Sequence, residues 1–287
     1  MKLVFGCGYL GERVAQQWRD AGQQVAVVTR RAEKATALAR QGFRAFVADV
    51  TQAESLKTLP PAESVLFAVG YDRSSQQPID EVYAGGVQNA LAALSPHTKR
   101  FIYISTTGVY GSAGGEWVDE QTPADPQREG GRASLAAEQA LARHRLGKQS
   151  VVLRLAGLYG PGRVPFLNEL RAGRPISAPS HGHLNLIHVD DAAAVVLAAD
   201  RLAAFDDGPR LYCVSDGHPV KREEYYGEVA RQIGAPPPVF VDPDPASPRA
   251  ARAAADRRVR NARMMDELSI QLLYPDYRAG LAAILSA

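Results

Sequence analysis

The sequence predicts an α/β fold, a doubly wound parallel sheet of about seven strands with a smaller carboxyl-terminal lobe. Three observations predict it: short apolar runs alternate with amphipathic stretches, the runs are continuous rather than every other residue, and the connections are short. Continuous runs suit strands buried on both faces, and strand–helix alternation implies right-handed βαβ units. In order, the expected strands are residues 3–5, 25–28, 43–47, 65–69, 101–104 and 150–155. Between them, residues 11–21, 32–40, 55–59, 79–94 and 132–145 read as helices.

After Gly160 the pattern loosens. A loop with Gly, Pro and Ser over residues 173–183 precedes a short strand at 184–187, an Ala/Val-rich helix from about Asp190, a strand at 211–214 and a helix at 222–233. Residues 235–248 carry Pro236, Pro237, Pro238, Pro243, Pro245 and Pro248. Proline lacks the backbone donor, so this stretch is expected to cross the surface without regular hydrogen-bonded structure. The expected organisation is a first domain over residues 1–160 and, interleaved with it, a region over 161–287 holding the last sheet strand and a second, smaller lobe.

Of the 287 residues, 46% are hydrophobic and 22% charged, ordinary globular values that argue against disorder. A net charge of +2 argues against nucleic acid or an anionic membrane as the main partner. The longest apolar stretch, residues 192–199, is too short to cross a bilayer. Met1 runs straight into a strand-like Lys2-Leu3-Val4-Phe5 with no signal peptide, so a cytoplasmic protein is expected. Cys7 and Cys213 form no Cys-x-x-Cys and have no His cluster beside them. No metal is expected; both read as buried thiols in a reducing compartment.

Gly6-Cys7-Gly8-Tyr9-Leu10-Gly11 fits G-x-G-x-x-G, directly after the first strand and opening a helix, the context of a Rossmann-type phosphate loop. Gly6 permits the tight turn, Gly8 lets backbone approach a pyrophosphate, and Gly11 lets helix pack on strand. The helix start then offers amides and a positive dipole end to phosphates. A carboxylate at the end of the second strand would hold a ribose 2′-hydroxyl; this chain has Thr29-Arg30-Arg31 there. Guanidinium forks match phosphate oxygens, so NADP is expected over NAD. Arg30 and Arg31 also read as solvated residues at a helix start. Asp49 and Val50 are expected near the adenine, and Ala68, Val69 and Gly70 near the adenosine and ribose.

Further segments are similar to the short-chain dehydrogenase/reductase superfamily, in its extended or atypical epimerase/dehydratase-like branch. Tyr103-Ile104-Ser105-Thr106-Thr107-Gly108-Val109-Tyr110-Gly111 resembles that family's strand-five motif, hydroxyl residues followed by V-Y-G. Arg154-Leu155-Ala156-Gly157-Leu158-Tyr159-Gly160-Pro161-Gly162 resembles its R-x-x-x-x-Y-G-P-G, and Leu186-Ile187-His188-Val189-Asp190-Asp191 its I-H-V-D-D. Residues 212–219 and Tyr274-Pro275-Asp276-Tyr277 also resemble this branch. The resemblance implies Thr106 as the catalytic hydroxyl, with Ser105 and Tyr159 beside the cofactor, and a homodimer through paired helices.

One departure stands out. The family's acid/base pair is Tyr-x-x-x-Lys, i and i+4 on one helix face. Here the matching segment is Gly130-Gly131-Arg132-Ala133-Ser134-Leu135-Ala136-Ala137-Glu138, with Gly130 for Tyr and Ser134 for Lys. No Tyr-x-x-x-Lys occurs anywhere in the chain. Tyr71, Asp72, Arg73, Tyr110, Tyr159, His181, His183 and His188 are the groups near the expected cleft, and none is nominated as a replacement. Arg249, Arg252, Arg257, Arg258, Arg260 and Arg263 read equally as a diphosphate clamp or a solvated helical face.

Two functions follow. The first is an NADP-dependent oxidoreductase, epimerase or dehydratase with a non-standard acid/base, acting on a small carbonyl, sugar or nucleotide-sugar. The second is a catalytically degenerate NADP(H)-binding sensor or regulator.

Overall fold

A computed structural model describes residues 1–247, 250–251 and 254–286. Its central sheet has seven strands: β1 (Lys2–Phe5), β2 (Val25–Thr29), β3 (Arg44–Val47), β4 (Ser64–Phe67), β5 (Arg100–Thr106), β6 (Ser150–Leu155) and β7 (Arg210–Val214). Their order is β7-β6-β5-β4-β1-β2-β3. Pairing is parallel from β1 to β2, β2 to β3, β1 to β4 and β4 to β5. Neighbours β1 and β4 are separated by two intervening βα units, so the winding reverses there, and a crevice opens at the carboxyl ends of the strands.

Burial explains why these runs became strands. Leu3, Val4 and Phe5 of β1 and Val65, Leu66 and Phe67 of β4 have no exposed surface. Phe5 and Phe67 rings lie 5.8 Å apart, and Phe67 and Phe101 6.2 Å apart. Helix α1 (Gly11–Asp20) buries Gly11, Val14, Ala15 and Trp18, the i, i+3, i+4, i+7 stripe of an amphipathic helix. Helix α2 (Ala32–Arg40) follows β2, α3 (Gly86–Ala93) follows β4, and α4 (Glu129–Arg143) precedes β6.

Three connections differ from expectation. Residues 55–59 form no α-helix; a single 3₁₀ turn spans Ala53–Leu56. The helix expected over 79–94 begins with a π turn at Glu81–Gly85, and only then becomes α3. The strand expected at 184–187 is two, His183–Leu184 against Val220–Lys221 and Leu186–His188 against Gly157–Tyr159.

The chain divides into two compact units that it enters alternately: Met1–Thr106, Glu129–Arg154 and Ala193–Tyr212 form one, and Thr107–Arg128, Leu155–Ala192 and Cys213–Ala287 the other. The first holds most of the sheet. A buried ion pair anchors α4 there: Arg154 donates to Glu138 at 3.0 Å through Nε and at 2.6 Å through Nη2. The Ser105 hydroxyl of β5 donates to the same carboxylate at 2.5 Å. Strand β5, helix α4 and strand β6 thus share one carboxylate.

The second unit has its own aromatic core, with Tyr159, Tyr225 and Tyr277 fully or nearly fully buried. Asp191 accepts from the amides of Leu273 and Tyr274 at 2.7 and 3.0 Å and ties down the start of the closing segment. A Cβ on Gly280 would collide with the Tyr159 hydroxyl, so the helix Tyr277–Leu285 can approach that ring only with glycine there. The proline-rich stretch is not wholly irregular. Phe240–Val241 pairs with Ile176–Ser177, and Ile176 donates to the Val239 carbonyl at 2.9 Å. Between Pro238 and Pro243 the chain keeps its amides, which is enough for a two-residue strand; Pro248 lies outside the described residues.

Candidate functional site

The glycine loop leaves β1 with Gly6 at φ +86°, a left-handed conformation that favours glycine. A Cβ there would strike the Ala68 backbone, and one on Gly11 would strike the Gly6 carbonyl. A Cβ on Gly8 would meet nothing within 4 Å. Gly6 and Gly11 are therefore required by the fold, while Gly8 faces open space. The residue before α1, Leu10, makes no side-chain cap, so no side chain competes for that helix start.

That space is a cavity of about 970 Å³ in the first unit. Gly6, Gly8, Tyr9, Thr29, Arg30 and Arg31 line it, as do Val50, Ala68, Val69 and Gly70. The glycine loop and the ends of β2 and β4 thus converge on one volume. Leu10 and Gly11 pack beneath the loop as buried residues. Asp49, Ser105 and Tyr159 do not line this cavity, and each has partners of its own. The Asp49 carboxylate turns back to its own chain, accepting from Thr51 through the amide at 2.9 Å and the hydroxyl at 2.8 Å. Ser105 is buried and donates to Glu138. Tyr159 has no exposed surface; its ring meets His188 edge-on at 5.3 Å and its hydroxyl donates to the Asp276 carbonyl at 3.4 Å.

The sequence reading missed several lining residues, among them Glu12, Arg13, Lys34 and Gln41. Arg13 donates to the Tyr9 carbonyl at 2.7 Å and lies 4.4 Å from the Tyr9 ring centroid, bracing the loop. Lys34 meets Glu12 at 2.6 Å, and Arg30 meets Asp72 at 3.2 Å. The i+1 placement of Glu12 after the last glycine was visible, but its partner lies 22 residues away on α2 and no periodicity reveals it. The Cys7 thiol is pushed up to about 12, first by burial and then by the Glu12 carboxylate, so it stays protonated.

Where the resemblance places an acid/base pair, the sequence has Gly130 and Ser134. Ser134 donates to the Gly130 carbonyl of its own helix at 2.9 Å and hydrogen-bonds the buried Tyr103 phenol. A Cβ on Gly130 would reach Ile79 at an ordinary 3.7 Å, so space does not demand glycine. Other hydroxyls gather nearby in the first unit. The Tyr71 amide donates to the Tyr83 hydroxyl at 3.3 Å, and Tyr83 sits on the π turn, a local feature frequent at functional sites. Thr106 closes β5, half-buried.

In the second unit, His183 Nδ1 lies 2.9 Å from Asp256, and the His188 ring packs 3.9 Å from that of Tyr274. Asp216 is a buried carboxyl. Burial pushes it up to about 7 against amide bonds from His218 and from its own backbone, with Asp276 and Asp191 adding repulsion. Arg258 and Arg260 flank the Trp117 ring at 5.0 and 5.6 Å. Arg257 donates to the Gly111 carbonyl and Arg263 to Glu267. Each of these four arginines has a partner among the described residues; Arg249 and Arg252 lie outside them. Among the described residues no group of His, Cys, Asp or Glu is arranged to hold a metal, and no helix is long and apolar enough to cross a membrane.

Fold and cavity together define a Rossmann-type α/β protein with a glycine-loop crevice at its switch point. The chain belongs to the NAD dependent epimerase/dehydratase family, which matches it over residues 3–214. Protein YeeZ of Escherichia coli strain K12 is 31% identical over 281 residues, covering 95% of this chain and 96% of that one. A solved structure described as a functionally unknown conserved protein from Silicibacter pomeroyi is 29% identical with a TM-score of 0.77, covering 99% and 98% of the two chains. The UDP-glucose 4-epimerase of Thermus thermophilus, solved in complex with NAD, superposes with a TM-score of 0.81 at 20% identity, covering 100% and 98%, a likeness of fold.

Proposed function

We propose that this chain binds NADP(H) in the glycine-loop cavity and acts as an oxidoreductase or epimerase on a small carbonyl, sugar or nucleotide-sugar in the cytoplasm. The observation that carries the reading is the cavity's charge: Arg13, Arg30, Arg31 and Lys34 line it, and Thr29 stands where an NAD site keeps a carboxylate. The residues fit the cofactor in two further ways. The direction of the missing Gly8 side chain is open, and the first turn of α1 presents amides without a side-chain cap. When bound, the nicotinamide supplies the hydride. The protein's part is to hold the phosphates on the loop and to hydrogen-bond the reacting oxygen through Thr106. Dimerisation through paired helices belongs to the same proposal.

Calorimetric titration tests it. NADP⁺ is expected to bind at least about ten-fold tighter than NAD⁺, the discrimination of one charge-assisted phosphate contact. Equal affinities overturn the NADP assignment.

A second reading, a sensor without turnover, is favoured by one observation: the Gly130–Ser134 face carries no acid/base pair, and Ser134 is engaged within its helix. If NADP⁺ binds but no cofactor is oxidised or reduced across a broad panel of carbonyls and alcohols, this second reading replaces the first.

A further inference from the structure

Lys34 and Arg30, both in the cavity wall, already have carboxylate partners. Lys34 Nζ lies 2.6 Å from Glu12 Oε2, while Gln41 Nε2 donates to the other Glu12 oxygen at 3.5 Å. Arg30 is held by Asp72 on the loop after β4. Arg31 has no carboxylate within ion-pair distance among the described residues. The wall therefore carries four cations and two carboxylates, all belonging to the first unit.

The Glu12–Lys34 pair is placed to be exchanged. Glu12 follows the last glycine of the loop, and Lys34 lies on the first turn of α2, three residues after Arg31. The side chains keep 35% and 30% of their surface exposed, so water screens the pair and it contributes little to the fold. A phosphate dianion offers Lys34 a more highly charged acceptor than a carboxylate does. A phosphate drawn to Lys34 is also repelled by Glu12 unless the pair opens.

We propose that Glu12 and Lys34 form an internal counter-ion switch that sets the discrimination between 2′-phosphorylated and 2′-hydroxyl dinucleotides. With a 2′-phosphate, Lys34 leaves Glu12 for the phosphate, and Glu12 stays on Gln41. With a 2′-hydroxyl, the pair remains closed and the Glu12 carboxylate accepts the hydroxyl proton in a hydrogen bond. Glu12 thereby does from α1 part of what a carboxylate at the end of β2 would do, and Lys34 opposes it. The chain's preference is the balance of these two side chains rather than the property of Arg30 and Arg31 alone.

The proposal rests on the glycine-loop cavity being the dinucleotide site, and its test separates the two. Dissociation constants for NADP⁺ and NAD⁺ are measured by calorimetry at fixed ionic strength for the wild type, Glu12→Gln and Lys34→Met. Glu12→Gln is expected to tighten NADP⁺ by about three- to ten-fold while leaving NAD⁺ unchanged or weaker, the size of one screened charge. Lys34→Met is expected to weaken NADP⁺ by about ten-fold or more and NAD⁺ by less than about two-fold, the loss of one charge-assisted hydrogen bond. The switch is overturned if Glu12→Gln shifts both dinucleotides equally, or if Lys34→Met leaves NADP⁺ binding intact. A wild type that prefers NAD⁺ overturns the NADP reading alone, because the ratio change on Glu12→Gln still decides the switch. A wild type that binds neither overturns both. Thermal melting checks the fold of each variant, and Glu12→Ala repeats the measurement should the glutamine variant lose its cooperative transition.

Discussion

Two helix starts in the same unit have diverged. At α1 every residue type that a phosphate loop needs is in place, and the geometry gives each a reason: Gly6 and Gly11 for close backbone packing, Gly8 for open space. At α4 the helix is equally well built but chemically bare: Gly130 has room for a side chain, and Ser134 bonds the helix itself. The difference teaches that anchoring and chemistry are separable. Helix α4 is held by Glu138, Arg154 and Ser105 from behind, so it keeps its position without an acid/base pair in front.

Breaking the anchor is expected to have the largest effect. Arg154→Met leaves the buried Glu138 carboxylate without its cation and should cost about 3–5 kcal/mol, read as a lowered midpoint in urea unfolding. A change below about 1 kcal/mol would mean that packing alone holds α4.

The second unit supplies an electrostatic contrast, since its buried Asp216 has no cation within ion-pair distance among the described residues, whereas Glu138 has Arg154. Folding raises the Asp216 carboxyl from its ordinary value of 3.8 to about 7, so the folded chain binds the proton more tightly than the unfolded one. Stability from this group is therefore present below about pH 4, lost as pH rises to about 7, and constant above that. Asp216→Asn keeps an acceptor for the His218 amide and removes the charge. It should gain about 2–4 kcal/mol above about pH 7, a gain that vanishes near about pH 4. Melting curves across this range check it, and a pH-independent difference would refute it.

Gly8→Val sharpens the contrast at α1. Its side chain would enter the open cavity, so the melting temperature should stay within a few degrees while dinucleotide affinity falls by about ten- to hundred-fold. Loss of the fold instead would place Gly8 with Gly6 and Gly11. The smallest effect is expected at α4. Gly130→Ala removes a flexible helical residue where a methyl group fits, and should stabilise by about 0.5–1 kcal/mol without changing dinucleotide binding. A loss of binding there would show that the bare face still touches the ligand.

The strands were legible because β1, β2, β4 and β6 are nearly all apolar, and the glycine loop because its spacing follows directly from backbone sterics. The π turn ahead of α3 was not legible: residues 79–94 have helical spacing, and the wider turn at Glu81–Gly85 depends on packing that no pattern encodes. Partners distant in sequence were hidden too, such as Glu12 with Lys34 and Ser105 with Glu138. The surroundings of Tyr159 were hidden for a related reason. Its motif marks a turn after β6, but the ring's direction is decided by Gly280, more than a hundred residues later.

The Asp191 carboxylate has a consequence for anyone shortening this chain. Its two amide donors come from Leu273 and Tyr274, on the far side of a long stretch of sequence. A stop codon just before Leu273 would strand that acid and strip the cover from Tyr159 and Tyr225 at one stroke. The trimmed product would be expected in inclusion bodies rather than in the clear lysate.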